Sequence, residues 1–458
     1  MTGATRLDHP EGERRWVRDP RWSAVATAST QTVLAAYEHL LVVAAHPDDE
    51  CLGAGAFVAD AASLGVEVTL LVLTDGEGSH PHSPTVGPDD LGRRRRDEAD
   101  RAAAVLAPAA RVVHAGLPDG GLAARPDEVI AAVRDLVRPR TLVLAPWVAD
   151  GHPDHDEAGR GAAAAVADVA AVSGGGDGGG RTGIGHYLVW FWHWGKPDDL
   201  PWPDAVTVDA TLDGLDRRAR ALVHHHSQHT ALSSADGDET LLTDGVLAPS
   251  RRGFTTVVLP GHDLDRADPA ASRRSDTFDE MFDAGDDPWS SASWYERRKR
   301  ALTLAVLRDE HYARVLDLGC STGALTRGLA ARADAVVAVD VSRRALDVAR
   351  RDSPATIVWV ESEAPGVVEE VDGPLDLVVL SEVGYFLRPF ELWLTLGRLL
   401  ERLSPGGELV LVHWRHPTRS IPLDGPAVHE QVRAALSPWS TLSHVEDDVL
   451  LDTYVVPR

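Results

Sequence analysis

The chain has 458 residues, of which 44% are hydrophobic, so it is long enough for two or three domains with ordinary cores. Its 70 acidic and 45 basic residues give a formal net charge of −25, which argues against binding to nucleic acid or an anionic membrane, because both attract basic surfaces. The chain has only two cysteines and no apolar run long enough to span a membrane, so we expect a soluble, cytoplasmic protein. The sequence does not predict its oligomeric state.

The first element that carries chemistry follows a polar extension, residues 1–37. Residues 41–45 (LVVAA) predict a buried strand that stops at HPDDE, because Pro47 cannot donate to a sheet ladder. The charged residues after it therefore lie at the carboxyl end of a strand, where open α/β sheets bind ligands. So many ionisable groups are costly in a core unless a cation holds them.

Further strands and helices alternate along the chain. Residues 67–73 predict the second strand, and a helix begins near the four arginines 93–96, which either meet a polar ligand or form a solvated face. The next strand that carries chemistry, residues 141–145, is followed by the sequence HPDH at residues 152–155. Residues 186–194 (HYLVWFWHW) predict a strand with a dense aromatic end.

The two His-Pro-Asp strand ends predict a catalytic metal site. Zinc in such sites takes three protein ligands and leaves one position open, and His46, Asp49 and His155 supply that set. Iron or cobalt would fit the same ligands. Asp48 is then available as the general base, and His152 as the group that protonates the leaving group or stabilises an oxyanion. We expect Asp154 to orient an imidazole.

These motifs resemble the zinc-dependent N-deacetylases of the PIG-L type. The resemblance covers roughly residues 38–260 and rests on AAHPDDECLG, TDGEG, PWVADGHPDHDEAGR and VHHHSQ. It implies that zinc binds His46, Asp49 and His155, and that Asp48 is the base. It also implies an N-acetylated amino sugar, or a related natural product, as the small-molecule substrate.

A second α/β pattern follows an acidic, Pro- and Ser-rich stretch, residues 263–288, that we predict to be a linker. Residues 314–318 predict a strand, and Gly319 and Gly323 form a turn that lets the backbone approach a ligand closely. The spacing Gly-x-x-x-Gly disfavours a plain dinucleotide site, which needs G-x-G-x-x-G. Asp340 ends the next strand, where an acid accepts hydrogen bonds from ribose hydroxyls.

This half resembles class I S-adenosylmethionine-dependent methyltransferases, and within them the nodulation-protein-S group, which N-methylates a deacetylated amino sugar. The resemblance covers roughly residues 276–458 and rests on VLDLGCSTG, AVDVS, SEVGYFL and HWRHP. It implies that S-adenosylmethionine binds along the turn and the second strand. The residues it places at the cofactor are Asp317, Gly319, Gly323, Asp340 and Glu363. The residues it places on the substrate side are Glu382, Tyr385, His413 and Arg415.

The sequence therefore predicts an α/β protein with two Rossmann-like three-layer domains, a deacetylase at residues 38–262 and a methyltransferase at residues 289–458. Deacetylation creates the amine that N-methylation consumes, so we expect the two activities to act in sequence. Two alternatives stay open. The methyl group goes to a hydroxyl or another separate position, or one domain is a non-catalytic binding module.

Overall fold

Each half of the chain builds its own sheet. The computed structural model describes residues 14–172, 182–264, 274–351, 353–417 and 421–457. Its contacts divide the chain into two units, residues 1–266 and 267–458.

The first unit has a mixed eight-stranded sheet of order β1-β7-β8-β6-β5-β2-β3-β4, in which only β8 runs antiparallel to its neighbours. The strands are β1 (Ala26–Ser29), β2 (His39–Ala44), β3 (Glu67–Thr74), β4 (Arg111–Leu117), β5 (Thr141–Pro146), β6 (Gly183–Tyr187), β7 (Ala205–Asp209) and β8 (Phe254–Val258). The helices are α1 (Arg14–Val17), α2 (Thr30–Leu34), α3 (Asp49–Ser63), α4 (Pro88–Leu106), α5 (Pro126–Arg134), α6 (Pro153–Val172), α7 (Phe191–Trp194), α8 (Leu212–Leu222), α9 (His226–His229) and α10 (Asp244–Leu247). Two separate apolar clusters pack the central strands against these helices, as a three-layer α/β domain requires.

The second unit has a seven-stranded sheet of order β11-β10-β9-β12-β13-β15-β14, parallel from β11 to β13 and antiparallel at β15 and β14. The strands are β9 (Tyr312–Leu318), β10 (Ala333–Asp340), β11 (Ile357–Glu361), β12 (Leu375–Ser381), β13 (Leu403–Trp414), β14 (Ser440–Val445) and β15 (Val449–Val455). The helices are α11 (Arg274–Met281), α12 (Trp294–Val306), α13 (Ala324–Ala330), α14 (Arg343–Arg350), α15 (Val367–Glu370), α16 (Pro389–Arg402) and α17 (Gly425–Leu436). Two apolar clusters again pack the sheet, so the predicted fold class, two Rossmann-like α/β domains, is confirmed.

Three stretches differ from the sequence-based description. The predicted extension contributes β1 to the first sheet and buries Trp16 and Trp22, because these large apolar rings find a core to fill. The predicted linker forms α11 from residue 274, and Phe278 at its centre packs edge-on against Phe386 at 4.9 Å. The aromatic stretch ends its strand at Tyr187 and turns into α7.

None of the helices in the described part of the chain combines the length and the apolar character needed to cross a membrane.

Candidate active sites

The carboxyl ends of β2, β4 and β5 bring one cluster of imidazoles and carboxylates together. His46 follows β2, Asp119 follows β4, and His152 and His155 follow β5. The rings of His46 and His152 lie 4.9 Å apart, and those of His46 and His155 lie 5.3 Å apart. The structure thus brings the two predicted His-Pro-Asp strand ends to one place.

The carboxylates around His46 determine which ring nitrogen is available to a ligand. Its Nε2 lies 3.1 Å from Asp119 Oδ1 and 3.3 Å from Asp154 Oδ2. Carboxylates only accept hydrogen bonds, so Nε2 carries the proton and Nδ1 carries the lone pair. That lone pair lies 3.5 Å from Asp49 Oδ2.

In His155 the two ring nitrogens exchange roles, and again the nitrogen with the lone pair faces Asp49. Its Nδ1 donates to Asp150 Oδ2 at 2.8 Å, so its lone pair is on Nε2, 3.1 Å from Asp49 Oδ1. This Nε2 is buried and has no hydrogen-bond partner within the described residues. Burial lowers the pKa of His155, but the Asp49 and Asp150 carboxylates outweigh burial and raise it to about 9.

Two imidazole lone pairs therefore face one carboxylate inside the protein. Lone pairs and a carboxylate repel one another unless a positive charge lies between them. For the same reason the pKa of both His46 and His155 is raised, because a proton on the ring would supply such a charge. Two nitrogens and one carboxylate oxygen are a ligand set that zinc accepts. The residues His46, Asp49 and His155 therefore fit a divalent cation.

Asp48 lies beside this set and is held by an arginine. Arg95 donates to Asp48 Oδ2 at 3.1 Å and to the carbonyl oxygens of Pro47 at 2.7 Å and Gly76 at 2.8 Å. Burial raises the pKa of Asp48 to about 7, while the Arg95 guanidinium acts in the opposite direction. Asp48 has φ +116 at the start of α3, a left-handed backbone that is uncommon for a non-glycine residue.

His152 has a fixed tautomer too. The Asp154 amide donates to its Nδ1 at 3.3 Å, so the ring proton is on Nε2. Burial, together with the charges of His46 and His155, lowers the pKa of His152 to about 4. The ring is therefore a neutral hydrogen-bond donor at neutral pH.

The second unit contains a cavity of about 480 Å³ at the carboxyl ends of β9, β10 and β12. Asp317, Gly319, Asp340 and Glu363 lie in its wall, whereas Gly323 shapes the turn without lining the cavity. Asp340 accepts from the Ser321 amide at 2.7 Å and from the Ser342 amide at 2.9 Å, which fixes its carboxylate at the strand end.

The Gly319 turn packs tightly against the loop after β12. Gly319 has φ +79, and a Cβ there would lie 2.7 Å from the Cβ of Val383. A glycine turn after β9 and a fixed acid after β10 are the features that cradle an adenosyl cofactor in this type of sheet. The lining residues therefore fit S-adenosylmethionine.

Another part of the cavity wall carries charged and phenolic side chains. Lys299 Nζ donates to Glu296 Oε1 at 2.7 Å and to Glu382 Oε1 at 2.9 Å, although the lysine is only 5% exposed. The Trp414 amide donates to Glu382 Oε2 at 3.2 Å, and the Tyr385 hydroxyl donates to the same oxygen. The predicted substrate residues Glu382 and Tyr385 thus lie together in this wall.

Comparison with known proteins finds a different family in each unit. The PIG-L family model, GlcNAc-PI de-N-acetylase, matches residues 41–166, and the Nodulation protein S (NodS) model matches residues 274–417. A 1D-myo-inositol 2-acetamido-2-deoxy-alpha-D-glucopyranoside deacetylase of Rhodococcus erythropolis is 30% identical over 263 residues, which cover 47% of this chain and 88% of that protein. Nodulation protein S of Rhizobium tropici is 37% identical over 132 residues, which cover 28% of this chain and 55% of that protein. The chain belongs to the PIG-L deacetylase family through its first unit, and its second unit contains a NodS-type methyltransferase domain over residues 274–417. Residues 1–266 are called the PIG-L unit below, and residues 267–458 the NodS unit.

One solved structure that resembles the NodS unit is the N-methyltransferase NodS from Bradyrhizobium japonicum in complex with S-adenosyl-L-homocysteine. It is 23% identical with a TM-score of 0.35, and the match covers 40% of this chain and 98% of that one. The chain spans about half the length of the first curated relatives it matches, 55% and 56%.

Two residues predicted for the substrate side of the NodS unit lie away from the cavity wall. His413 is fully buried and contacts the loop after β12, where its Nε2 accepts from the Gly384 amide at 3.0 Å. Arg415 is exposed and donates to the Glu446 carbonyl oxygen at 3.1 Å. A direct substrate role for either residue stays a prediction.

Sequence reasoning missed three residues of the PIG-L unit. Asp119 and Asp150 hold the two imidazoles, and Arg95 is the one member of the arginine run that turns inward to Asp48. Asp119 follows a strand as HPDDE does, and that position could have marked it as a candidate site residue. Nothing in the run 93–96 distinguishes Arg95 from its neighbours.

Proposed function

We propose that the chain hydrolyses an N-acetyl group from an amino sugar or a glycoside of one, and then N-methylates the amine that it has exposed. The observation that supports the hydrolytic half is the pair of imidazole lone pairs that face Asp49, with Asp48 and His152 beside them. The observation that supports the methyl-transfer half is the carboxylate of Glu382 in the wall of the cofactor cavity.

In the PIG-L unit, zinc or another divalent cation held by His46, Asp49 and His155 would supply a Lewis acid for the acetyl carbonyl. Asp48 takes a proton from the attacking water, and Arg95 keeps its carboxylate turned into the site. The Nε2 proton of His152 stabilises the negative charge that develops on the carbonyl oxygen. As the C–N bond breaks, the proton held by Asp48 passes to the leaving nitrogen, so acetate and a free amine are the products.

In the NodS unit, S-adenosylmethionine supplies the methyl group. Asp340 would accept hydrogen bonds from the ribose hydroxyls of the cofactor, and the Gly319 turn would hold its methionine end. Methyl transfer needs a neutral amine held in line with the reacting carbon, so positioning is the main contribution of the protein.

Glu382 is the residue that we assign to hold that amine. A carboxylate accepts about four hydrogen bonds, and described residues occupy three around Glu382, from Lys299, Tyr385 and Trp414. One acceptor position on Oε1 therefore remains for an N–H of the substrate. Relatives named as deacetylases of 1D-myo-inositol 2-acetamido-2-deoxy-alpha-D-glucopyranoside support an N-acetylated amino sugar as the substrate of the PIG-L unit. The resemblance of the second unit to Nodulation protein S supports the corresponding amine as its methyl acceptor.

Mass spectrometry of a panel of N-acetylated amino sugars and glycosides tests the proposal. Each compound is incubated with the full chain, Zn²⁺ and S-adenosylmethionine, in parallel with Asp48→Asn, Asp340→Asn and the exposed control Asp168→Asn. We expect the wild type and the control to exchange an acetyl group for hydrogen and then to add a methyl group. Asp48→Asn should block both steps, and Asp340→Asn only the second.

Other outcomes separate the two alternatives. Methyl addition that persists at full rate in Asp48→Asn would mean that the two units act on separate positions. Acetyl loss without any methyl addition, in the presence of bound cofactor, would contradict the N-methylation half.

A further inference from the structure

A hydrogen-bonded series of buried polar side chains lies behind the wall of the NodS cavity. His413 Nδ1 lies 3.0 Å from His429 Nε2, and His429 Nδ1 lies 2.7 Å from Asp452 Oδ2. All three residues are at most 2% exposed. At the other end, His413 Nε2 accepts from the Gly384 amide at 3.0 Å.

The Gly384 amide determines which ring nitrogen of His413 and of His429 carries the proton. A backbone N–H only donates, so His413 Nε2 has no proton and His413 Nδ1 must carry it. That proton is donated to His429 Nε2, which in turn requires the His429 proton to be on Nδ1, facing Asp452. Both imidazoles are therefore neutral, and one arrangement satisfies all three bonds.

The Gly384 end of this series lies in the loop that carries the amine-binding residues. Glu382 and Tyr385 flank Gly384 in this loop, and both lie in the cavity wall. Glu382 has φ +60, a strained backbone for a non-glycine residue, so surrounding contacts must hold it. A Cβ at Gly384 would lie 2.9 Å from His413 Nε2, so the loop and the imidazole meet without a gap.

We propose that His413, His429 and Asp452 are positioning residues that fix the loop at residues 382–385, and with it the Glu382 carboxylate, for the acceptor amine. The proposal rests on the N-methylation proposed above. None of the three lines the cavity, so they act through the Gly384 amide rather than on the substrate. Buried polar groups that contribute no apolar packing are costly unless all their bonds are made, and here they specify one loop arrangement.

Three replacements of His413 separate the effect of its hydrogen bond with Gly384 from that of its hydrogen bond with His429. In His413→Gln, the amide oxygen stands near the position of the histidine Nε2 and can accept from Gly384. In His413→Asn, the shorter amide stands near the position of Nδ1 and can reach His429 but not Gly384. His413→Phe fills the space and makes neither bond.

Kinetics with a deacetylated amino sugar as acceptor give the first readout. For Phe and Asn we expect kcat/KM for the amine to fall about 10-fold or more, the loss of one buried hydrogen bond, with the Kd for S-adenosylhomocysteine within about 2-fold of wild type. Gln should stay within about 3-fold of wild type, since it restores the bond to Gly384. Equal activity in all three variants and wild type, or Asn as active as Gln, would overturn the proposal. A parallel loss of S-adenosylhomocysteine binding would also overturn it, because the residues would then support the whole unit.

Hydrogen exchange of the peptide around Gly384, measured on the full chain with S-adenosylhomocysteine, does not depend on any acceptor activity. We expect faster exchange in Phe and Asn than in Gln and wild type. If wild type methylates no amine but exchange follows this pattern, the N-methylation proposal fails while the loop contact stands. Exchange that is the same in all four proteins contradicts the contact itself.

Discussion

Carboxylates beside the imidazoles decide which ring nitrogens the PIG-L site presents to a ligand. Asp150 is the clearest case, because it accepts from His155 Nδ1 and also from the amides of Val189, Trp190 and Phe191. One carboxylate therefore both selects the His155 tautomer and anchors the start of α7. A partner of this kind raises the ligand basicity of the imidazole and holds its plane.

Replacing Asp150 by Asn should weaken metal binding. An amide presents one donor where the carboxylate had an acceptor, so at least one of the four bonds is lost. We expect the affinity for Zn²⁺ to fall about 10- to 100-fold, as is typical when the partner of a metal-bound histidine is removed. Competition with a chromogenic chelator measures it. The control Asp168→Asn, on the exposed face of α6, should bind Zn²⁺ as the wild type does, and an unchanged affinity in Asp150→Asn would contradict the role.

The sequence singled out the candidate residues that stand in a repeated motif and missed those that do not. His46, Asp49 and His155 stand in two His-Pro-Asp motifs that follow apolar strands, so their residue types and position point to one site. Asp119 and Asp150 are single acids, and their role depends on which strands are neighbours. Strand order is a property of the sheet, and no local pattern in the chain specifies it.

At the scale of elements, side-chain contacts override the local propensity of the aromatic stretch. Bulky aromatics favour a strand, yet β6 stops at Tyr187 and α7 begins at Phe191. The Asp150 carboxylate binds three consecutive amides there, which removes them from any sheet ladder. The composition of the stretch could not reveal this interruption, because the carboxylate comes from 39 to 41 residues earlier in the chain.

The contact between α3 and β6 predicts a large effect of a small substitution. Gly53 in α3 lies against the ring of Tyr187, whose hydroxyl donates to the Val43 carbonyl oxygen at 2.8 Å. A Cβ at Gly53 would lie 2.1 Å from Tyr187 Cδ2. Alanine favours a helix by about 1 kcal/mol over glycine, but forcing this buried ring to move costs more.

We therefore expect Gly53→Ala to destabilise the PIG-L unit by about 1–3 kcal/mol. Denaturant unfolding followed by circular dichroism measures the change. Gly87→Ala, where a Cβ meets nothing within 4 Å, is the control and should change stability by less than about 1 kcal/mol. A stabilised Gly53→Ala would mean that the ring yields easily.

The β15 strand makes the stability of the NodS unit depend on pH. Burial opposes ionisation, but hydrogen bonds from His429 and Ser443 and the charge of Arg433 hold the pKa of Asp452 at about 2, below its ordinary value of 3.8. A lowered carboxyl pKa contributes stability that is complete above the unfolded value and is lost as the pH falls through the folded value.

The free energy of unfolding of this unit should therefore fall between about pH 4 and pH 2, by up to about 2 kcal/mol from this group alone. Urea unfolding at several pH values, for wild type and Asp452→Asn, measures it. The variant should be less stable at neutral pH and should lose less stability in acid. Identical acid slopes for the two proteins would assign the loss to other carboxyls.

At the scale of the whole molecule, the sequence predicted two α/β units because a strand, a glycine turn and a helix begin again after residue 288. It predicted a linker at residues 263–288; residues 265–273 of that stretch lie outside the described residues, and from residue 274 it supplies the cavity-lining helix α11. Phe278 and Phe282 of that stretch lie in the cavity wall, and Asp279 accepts from Ser342 Oγ at 2.6 Å. An acidic composition indicates that a stretch is mostly exposed to solvent, but in this stretch a few specific contacts hold a helix at the cavity wall.

Each unit has its own sheet, its own apolar clusters and a complete set of candidate residues. The PIG-L set lies between His46 and His155, and every residue in the wall of the NodS cavity lies between Phe278 and Trp414. No described residue of either set comes from the other unit. Two proteins, each disabled at a different site, should therefore complement one another.

We expect an equimolar mixture of Asp48→Asn and Asp340→Asn to convert an N-acetylated substrate into the N-methylated amine, which neither variant makes alone. The free amine must pass through solution in the mixture, so it should accumulate before the methylated product appears, and the delay should lengthen on dilution. Time-resolved mass spectrometry follows both species. Wild type that shows the same delay at the same concentration of sites releases its intermediate, whereas a wild-type delay that does not change on dilution requires the amine to pass between the sites of one chain. A mixture that makes the free amine but no methylated product would contradict the independence of the two units.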